Sequence, residues 1–149
     1  MATAKWATPS SLSSDVAGSG AGTLNSNPGL ANGAVTSVLA DIVNTGSALD
    51  LNVYFELVIA SMTVSSGGSI TIGLVEKLSS NNYAKFSASV IPVEFASRAG
   101  VAATQTFEMR FDMRLLPGTW GVVVLNNLGN ALPTSGNTLK YAQYNESVA

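Results

Sequence analysis

The chain has 149 residues, a net charge of -2 and neither cysteine nor histidine. That length suits one domain, able to bury roughly 68–70% of its unfolded surface without disulfides or metal. Without His or Cys, the Ser-His-Asp and Cys-His nucleophile arrangements, thiolate metal sites and disulfide frameworks are excluded, and the seven Lys and Arg are too scattered to form a phosphate-binding stripe.

Residues 1 to about 33 carry Ser10-Ser11-Leu12-Ser13-Ser14, Gly18-Ser19-Gly20-Ala21-Gly22 and Asn27-Pro28-Gly29, with few large apolar residues beyond Trp6, Leu12, Val16 and Leu30. Such a composition buries too little surface to offset backbone ordering, so an extended arm is expected over 1–33, mobile or ordered by contact, with Trp6 as its anchor. The start lacks the apolar stretch of about 7–15 residues that a secretory signal needs, so a soluble, unprocessed chain is expected. The apolar runs Leu57 to Ala60 and Gly121 to Leu125 fall far short of the roughly 20 residues of a membrane span. Neither a membrane nor a nucleic acid is an expected partner.

From residue 34 the texture changes to short segments punctuated by turn residues, which predicts an all-β domain over 34–149. Val35 to Val43 reads as a first strand. In Leu49 to Leu57 the odd positions Leu49, Leu51, Val53, Phe55 and Leu57 fall on one face, while Asp50, Asn52, Tyr54 and Glu56 fall on the other. Ser69 to Val75 follows the turn Ser65-Ser66-Gly67-Gly68. Tyr83 to Phe95 is the next strand, with Pro92 expected at an edge or bulge because it cannot donate to a ladder.

Thr106 to Leu115 alternates without a break: Phe107, Met109, Phe111, Met113 and Leu115 are expected inward, and Glu108, Arg110, Asp112 and Arg114 outward. Trp120 to Leu125 is apolar throughout, so both of its faces should be covered, by the arm, a loop or another subunit. Thr138 to Tyr144 is the closing strand, with Tyr141 beside Leu139 on the side that closes the sandwich and Tyr144 on the other. Roughly seven or eight strands with no amphipathic helix predict a two-sheet antiparallel sandwich, jelly-roll-like or Ig-like, preceded by the extended N-terminal arm.

Motifs for chemistry are sparse. Glu108 and Asp112 would lie about 13 Å apart along one strand, outside the roughly 5–9.5 Å of a glycosidase pair. The glycine-rich stretch at Gly18 to Gly22 lacks the Lys-Ser or Lys-Thr of a phosphate loop, and the acids are too isolated for a calcium loop. Asn145-Glu146-Ser147 fits the glycosylation sequon, a three-residue match that arises by chance. No catalytic residue, metal or cofactor is expected; an enzyme would need substrate or metal to supply the missing groups.

Four of the sixteen charged residues (seven basic plus nine acidic) form the alternating series Glu108, Arg110, Asp112, Arg114. One interpretation is an ordinary solvated face with weak pairing. The other is a self-complementary patch, since an antiparallel copy could set each acid opposite a base. With Trp6 and Tyr144, these four are the candidate interface residues.

The succession of Leu49-Asp50-Leu51, Gly73 to Tyr83 (Gly-Leu-Val-Glu-Lys-Leu-Ser-Ser-Asn-Asn-Tyr), Leu115 to Trp120 (Leu-Leu-Pro-Gly-Thr-Trp) and Ser135 to Glu146 (Ser-Gly-Asn-Thr-Leu-Lys-Tyr-Ala-Gln-Tyr-Asn-Glu) resembles the head decoration, or cement, proteins of tailed bacteriophages. The resemblance covers about residues 35 to 149, and its most specific parts are the Leu116-Pro117-Gly118 turn and the Ser135 to Glu146 ending. It implies a structural virion protein made in the host cytoplasm, which attaches as a homo-oligomer to the outside of a capsid and reinforces junctions of the major capsid protein. It brings no catalytic residues. The alternative is a carbohydrate- or receptor-binding β-sandwich module of a phage tail, with Trp6, Tyr54, Tyr83, Trp120, Tyr141 and Tyr144 as stacking platforms.

Overall fold

A computed structural model describes residues 4–6, 12, 13, 15–46, 49–85, 94–99 and 103–148, without the side chains of 4–6, 94–99, 111 and 146–148. Among these residues there is no helix, and the strands are β1 (Ala4–Trp6), β2 (Ala40–Asn44), β3 (Asn52–Val64), β4 (Ser69–Ser79), β5 (Asn82–Tyr83), β6 (Glu94–Ala99), β7 (Ala103–Arg114), β8 (Gly118–Asn127), β9 (Thr138–Tyr144) and β10 (Glu146–Val148). The Tyr83 to Phe95 segment is thus split between β5 and β6, and Pro92 lies outside the described residues.

Two antiparallel sheets face one another. One runs β2-β8-β4-β6, with β5 folded back onto the end of β4; the other runs β7-β3-β9. They are called here the β8 sheet and the β3 sheet. The chain passes from one sheet to the other between β2 and β3, β3 and β4, and at each step from β6 to β9.

Alternation explains the core between them. Val53, Phe55, Leu57 and Ile59 of β3, Ile70, Ile72 and Leu74 of β4, Phe107, Met109 and Met113 of β7, Trp120, Val122 and Val124 of β8 and Leu139 of β9 all belong to one buried cluster. At roughly 1.5–3 kcal/mol for each fully buried large side chain, this cluster is the dominant favourable contribution to folding. In β3 the register shifts between Ile59 and Met62, after which Met62 and Val64 are the buried positions. A bulge here moves the inward side from odd to even residues, so a strand of 13 residues can keep facing the core.

Leu51 differs from its expected inward place: it is 49% exposed. The regular strand begins at Asn52, and before it the backbone is held by side chains. Asn44 Nδ2 donates to Asp50 O (2.8 Å), Asp50 N–H donates to Asn44 Oδ1 (2.8 Å), and Leu51 N–H donates to Asn145 Oδ1 (2.7 Å). These bonds turn Leu51 out before the alternation starts.

The described part of the N-terminal stretch packs onto the sheets. Ser13 and Val16 N–H donate to Tyr141 and Leu139 O (both 2.8 Å), while Asp15 Oδ1 accepts from Leu139 N–H (2.9 Å) and Ala17 N–H (3.0 Å). Residues 33–39 then follow β8, with Thr36 and Leu39 N–H donating to Val124 and Val122 O (both 2.9 Å). The expected strand from Val35 is therefore regular only from Ala40 onward. Ala17, Leu24 and Leu30 join the same core as the strands, so packing is continuous across residue 33.

Two buried asparagines bind this covering to the sheets. Asn137, 1% exposed, donates from Nδ2 to Leu24 O and Pro133 O (both 2.7 Å) and accepts Ala60 N–H at Oδ1 (3.0 Å). Asn25 and Asn137 also exchange two bonds of 3.0 Å. Asn126 Nδ2 reaches Leu30 O and Asn130 O, and a third buried asparagine, Asn44, joins the end of β2 to Asp50 O and Leu116 O. Carbonyls that would cost about 1–3 kcal/mol each if left unpaired are thereby satisfied.

Candidate functional site on the outer faces of the two sheets

The two outer faces hold the polar residues that packing does not consume. On the β3 sheet, register sets the even residues of β3 in rows with β7 and β9: Arg110, Glu56 and Lys140; Asp112, Tyr54 and Ala142; Arg114, Asn52 and Tyr144; Glu108, Val58 and Thr138. Glu108, Arg110, Asp112 and Arg114 are all exposed, as their alternation predicts. Three acids (Glu56, Glu108, Asp112) and three bases (Arg110, Arg114, Lys140) make this face neutral while keeping it polar.

Neighbouring rows are tied together. Arg110 Nε lies 3.5 Å from Glu56 Oε1, but the arginine is 67% exposed, so this pair contributes at most about 1 kcal/mol. Tyr54 OH donates to the same Glu56 oxygen (3.0 Å). Burial, followed by that hydrogen bond to a carboxylate, raises the Tyr54 phenol above its ordinary value.

Tyr144 starts on β9 and reaches across β3 to donate its OH to Asp112 Oδ1 on β7 (2.8 Å). It lies on the outer side, as expected, yet only 8% of it is exposed because it is laid along the sheet. Tyr141 is on the opposite side, half-buried, with its ring 6.3 Å from that of Phe55. Trp6 sits in β1, which pairs with β10 through Trp6 and Glu146; its side chain lies outside the described residues.

The outer face of the β8 sheet is built differently. Val75, Val123 and Leu125 are buried there, outside the central cluster, as expected for an all-apolar strand. Gly121 lies among them with the Tyr83 ring and Val38 closed over it. A Cβ on Gly121 would meet Tyr83 Cδ1 at 2.8 Å and Val38 Cγ1 at 3.0 Å.

Tyr83 is held there by Asp41, whose Oδ1 accepts from the phenol (2.8 Å) and whose Oδ2 accepts from Lys77 Nζ (2.5 Å). Lys77 Nζ also stands 5.4 Å from the Tyr83 ring centroid. The Lys77 hydrogen bond, helped by that of Tyr83 and opposed by desolvation, lowers the Asp41 carboxyl below its ordinary range, and the same bond to Asp41 raises Lys77. This triad fastens the β4–β5 turn across the sheet.

Asp41, Lys77 and Tyr83 were not legible as a group, since 36 and 42 residues separate Asp41 from its partners. One signal was present: a glycine within a run of large apolar strand residues marks a close approach by something else. Trp120, a stacking candidate, is 4% exposed and donates from Nε1 to Leu116 O (2.9 Å), so it serves the core. Among the described residues, no group of three or more His, Cys, Asp or Glu is placed to hold a metal ion. Comparison of the chain with family models, with curated proteins and with solved structures finds no match.

Proposed function

We propose that this is a structural virion protein that binds the outside of a phage capsid as a decoration or cement protein, contacting the major capsid protein and acting as a homo-oligomer. The observation that carries this reading is the contrast between the sandwich's outer faces: on one, Tyr83 and Val38 close over Gly121, while on the other, charged residues of both signs, balanced in number, stand exposed on β7 beside Glu56 and Lys140. Such a face suits cohesion with a polar protein surface, where complementary charges set register and specificity more than affinity. The resemblance over residues 35 to 149 supports the same reading, and the passage of the chain between sheets supports a jelly-roll-like connectivity.

Purified protein mixed with undecorated heads is expected to co-sediment with them and to raise their melting temperature. Replacing Arg110, Arg114 and Lys140 together by Glu should abolish both effects while leaving the protein folded. Heads that neither bind nor gain stability would overturn the proposal. Binding on a glycan array instead would favour the carbohydrate- or receptor-binding module, for which half-buried Tyr54 and Tyr83 are the remaining tyrosine platforms.

A further inference from the structure

The sequence holds a single Asn-Gly step, Asn32-Gly33, and the fold places it in a turn. Ala34 N–H donates to Ala31 O (3.1 Å), Gly33 has a φ of 80° and Asn32 keeps a negative φ, so these two are the central residues of a type II turn. Both are exposed, yet both are fastened to the end of β8 and the loop after it. Gly33 N–H donates to Asn126 O (2.6 Å), Asn126 N–H donates to Ala34 O (3.0 Å), and Asn32 Oδ1 accepts from Gly129 N–H (2.8 Å). Before the turn, Leu30 O accepts from Asn126 Nδ2 and from Leu132 N–H (both 2.9 Å).

An asparagine followed by glycine is the side-chain amide most open to attack by its own backbone, because no Cβ shields the next nitrogen. Once the Gly33 nitrogen has given its proton to base, it can bond to Asn32 Cγ. The Cγ–Nδ2 bond then breaks and ammonia leaves, closing a succinimide ring. Water opens that ring at either carbonyl, giving aspartate or isoaspartate. The balance is amide and water to acid and ammonia, with nothing oxidised or reduced.

We propose that Asn32-Gly33 is a self-modification site which the fold holds closed, and that it converts to isoaspartate only when the 30–34 segment lifts from β8. The proposal goes beyond the capsid reading and does not depend on it. The docked geometry opposes each part of the reaction. Asn126 O holds the proton that must leave Gly33, and Gly129 N–H fixes the amide that must swing toward it. A type II turn sets ψ of its first central residue at about +120°, which keeps the following nitrogen away from Cβ, whereas ring closure needs the two eclipsed.

The product cannot dock again. Isoaspartate routes the main chain through Cβ and Cγ, lengthening it by a carbon, while Leu30 O and Ala34 O are both bound by the same residue, Asn126. The span between those bonds is fixed, so the longer backbone loses them. A single opening of this segment is thereby made permanent.

The experiment uses the whole chain, incubated in mildly alkaline buffer with and without denaturing urea, with conversion at residue 32 followed by peptide mass spectrometry. Folded protein is expected to convert at least about tenfold more slowly than unfolded protein. Hydrogen exchange at the Gly33 amide is the second readout, since exchange and ring closure both require loss of the same bond to Asn126 O. Through urea concentrations below the unfolding transition, the two rates should rise in parallel.

The isoaspartyl form, made in urea, separated and returned to buffer, should exchange quickly at Gly33 and Thr36. Asn32→Asp keeps the normal backbone and an oxygen for Gly129 N–H, so it should exchange as slowly as the unsubstituted chain. That comparison separates a lengthened backbone from an added charge. An unfolded chain that does not convert, equal conversion in folded and unfolded protein, conversion that does not follow Gly33 exchange, or an isoaspartyl form as protected as Asn32→Asp would each overturn the proposal.

Discussion

On the outer face of the β8 sheet, Val75, Val123 and Leu125 are buried and Tyr83 closes over Gly121; on that of the β3 sheet, Glu108, Arg110, Asp112 and Arg114 stand exposed. Both faces belong to antiparallel sheets sharing one core, so secondary structure does not distinguish them. The difference is in what fills the outward positions. Apolar outward residues require a cover, and over Gly121 the chain supplies it from its own Val38 and Tyr83. Charged outward residues require none, and Glu108, Arg110, Asp112 and Arg114 stay exposed to solvent.

The largest test of this contrast is to place a charge on the covered face. Val123→Asp should lower unfolding stability by about 3 kcal/mol or more, because an unpaired carboxylate would be buried where 4% of the valine is exposed. Arg114→Ala on the open face should change it by no more than about 0.5 kcal/mol. Urea denaturation measures both, and comparable losses would mean that the faces are not covered differently.

A smaller effect tests the cover itself. Gly121→Val should cost about 1–3 kcal/mol, since the new side chain occupies the space of the Tyr83 ring and Val38. Combining it with Tyr83→Ala should recover part of that loss relative to Tyr83→Ala alone. Strict additivity of the two changes would show that Tyr83 does not lie over Gly121 in solution.

The smallest expected effect depends on pH. The Asp41 pKa is lowered by Lys77, so its contribution to stability is present above the ordinary aspartate value of about 4 and is lost as pH falls through the folded value. The Lys77 pKa is raised, so its contribution is present below about 10.4 and is lost as pH rises through the folded value. Asp41→Asn should therefore be less stable than the unsubstituted protein near neutrality and converge with it in acid. Melting curves from pH 3 to pH 8 that keep a constant difference would show that Asp41 titrates normally.

Strand β7 was legible residue by residue because its outward and inward positions differ completely in chemistry: Phe107, Met109 and Met113 are buried and the four charged residues exposed. The bounds of β9 also agree, as does the side taken by each of its tyrosines. Leu51 was not legible, because its exposure depends on side-chain bonds from nearby Asn44, which leaves no periodic mark, and from Asn145, 94 residues away. The stretch before residue 33 looks too polar to pack by itself, and its order comes from contact: Asn137 and Asn126 donate to the Leu24 and Leu30 carbonyls, and both leucines enter the core. Asparagine has no periodicity that separates a buried clamp from a loop residue.

Alternation by itself determined the all-β class, the inward side of the main strands and the charge series of β7, because side-chain direction in a strand is a local property. It also indicated that β8 needs covering on both faces. Tertiary structure alone decided that β9 is flanked by the chain's own residues 13–16 and that Asp41, Lys77 and Tyr83 meet over Gly121. Those outcomes depend on which strands become neighbours, and pairing partners separated by tens of residues leave no mark on the local pattern of either strand.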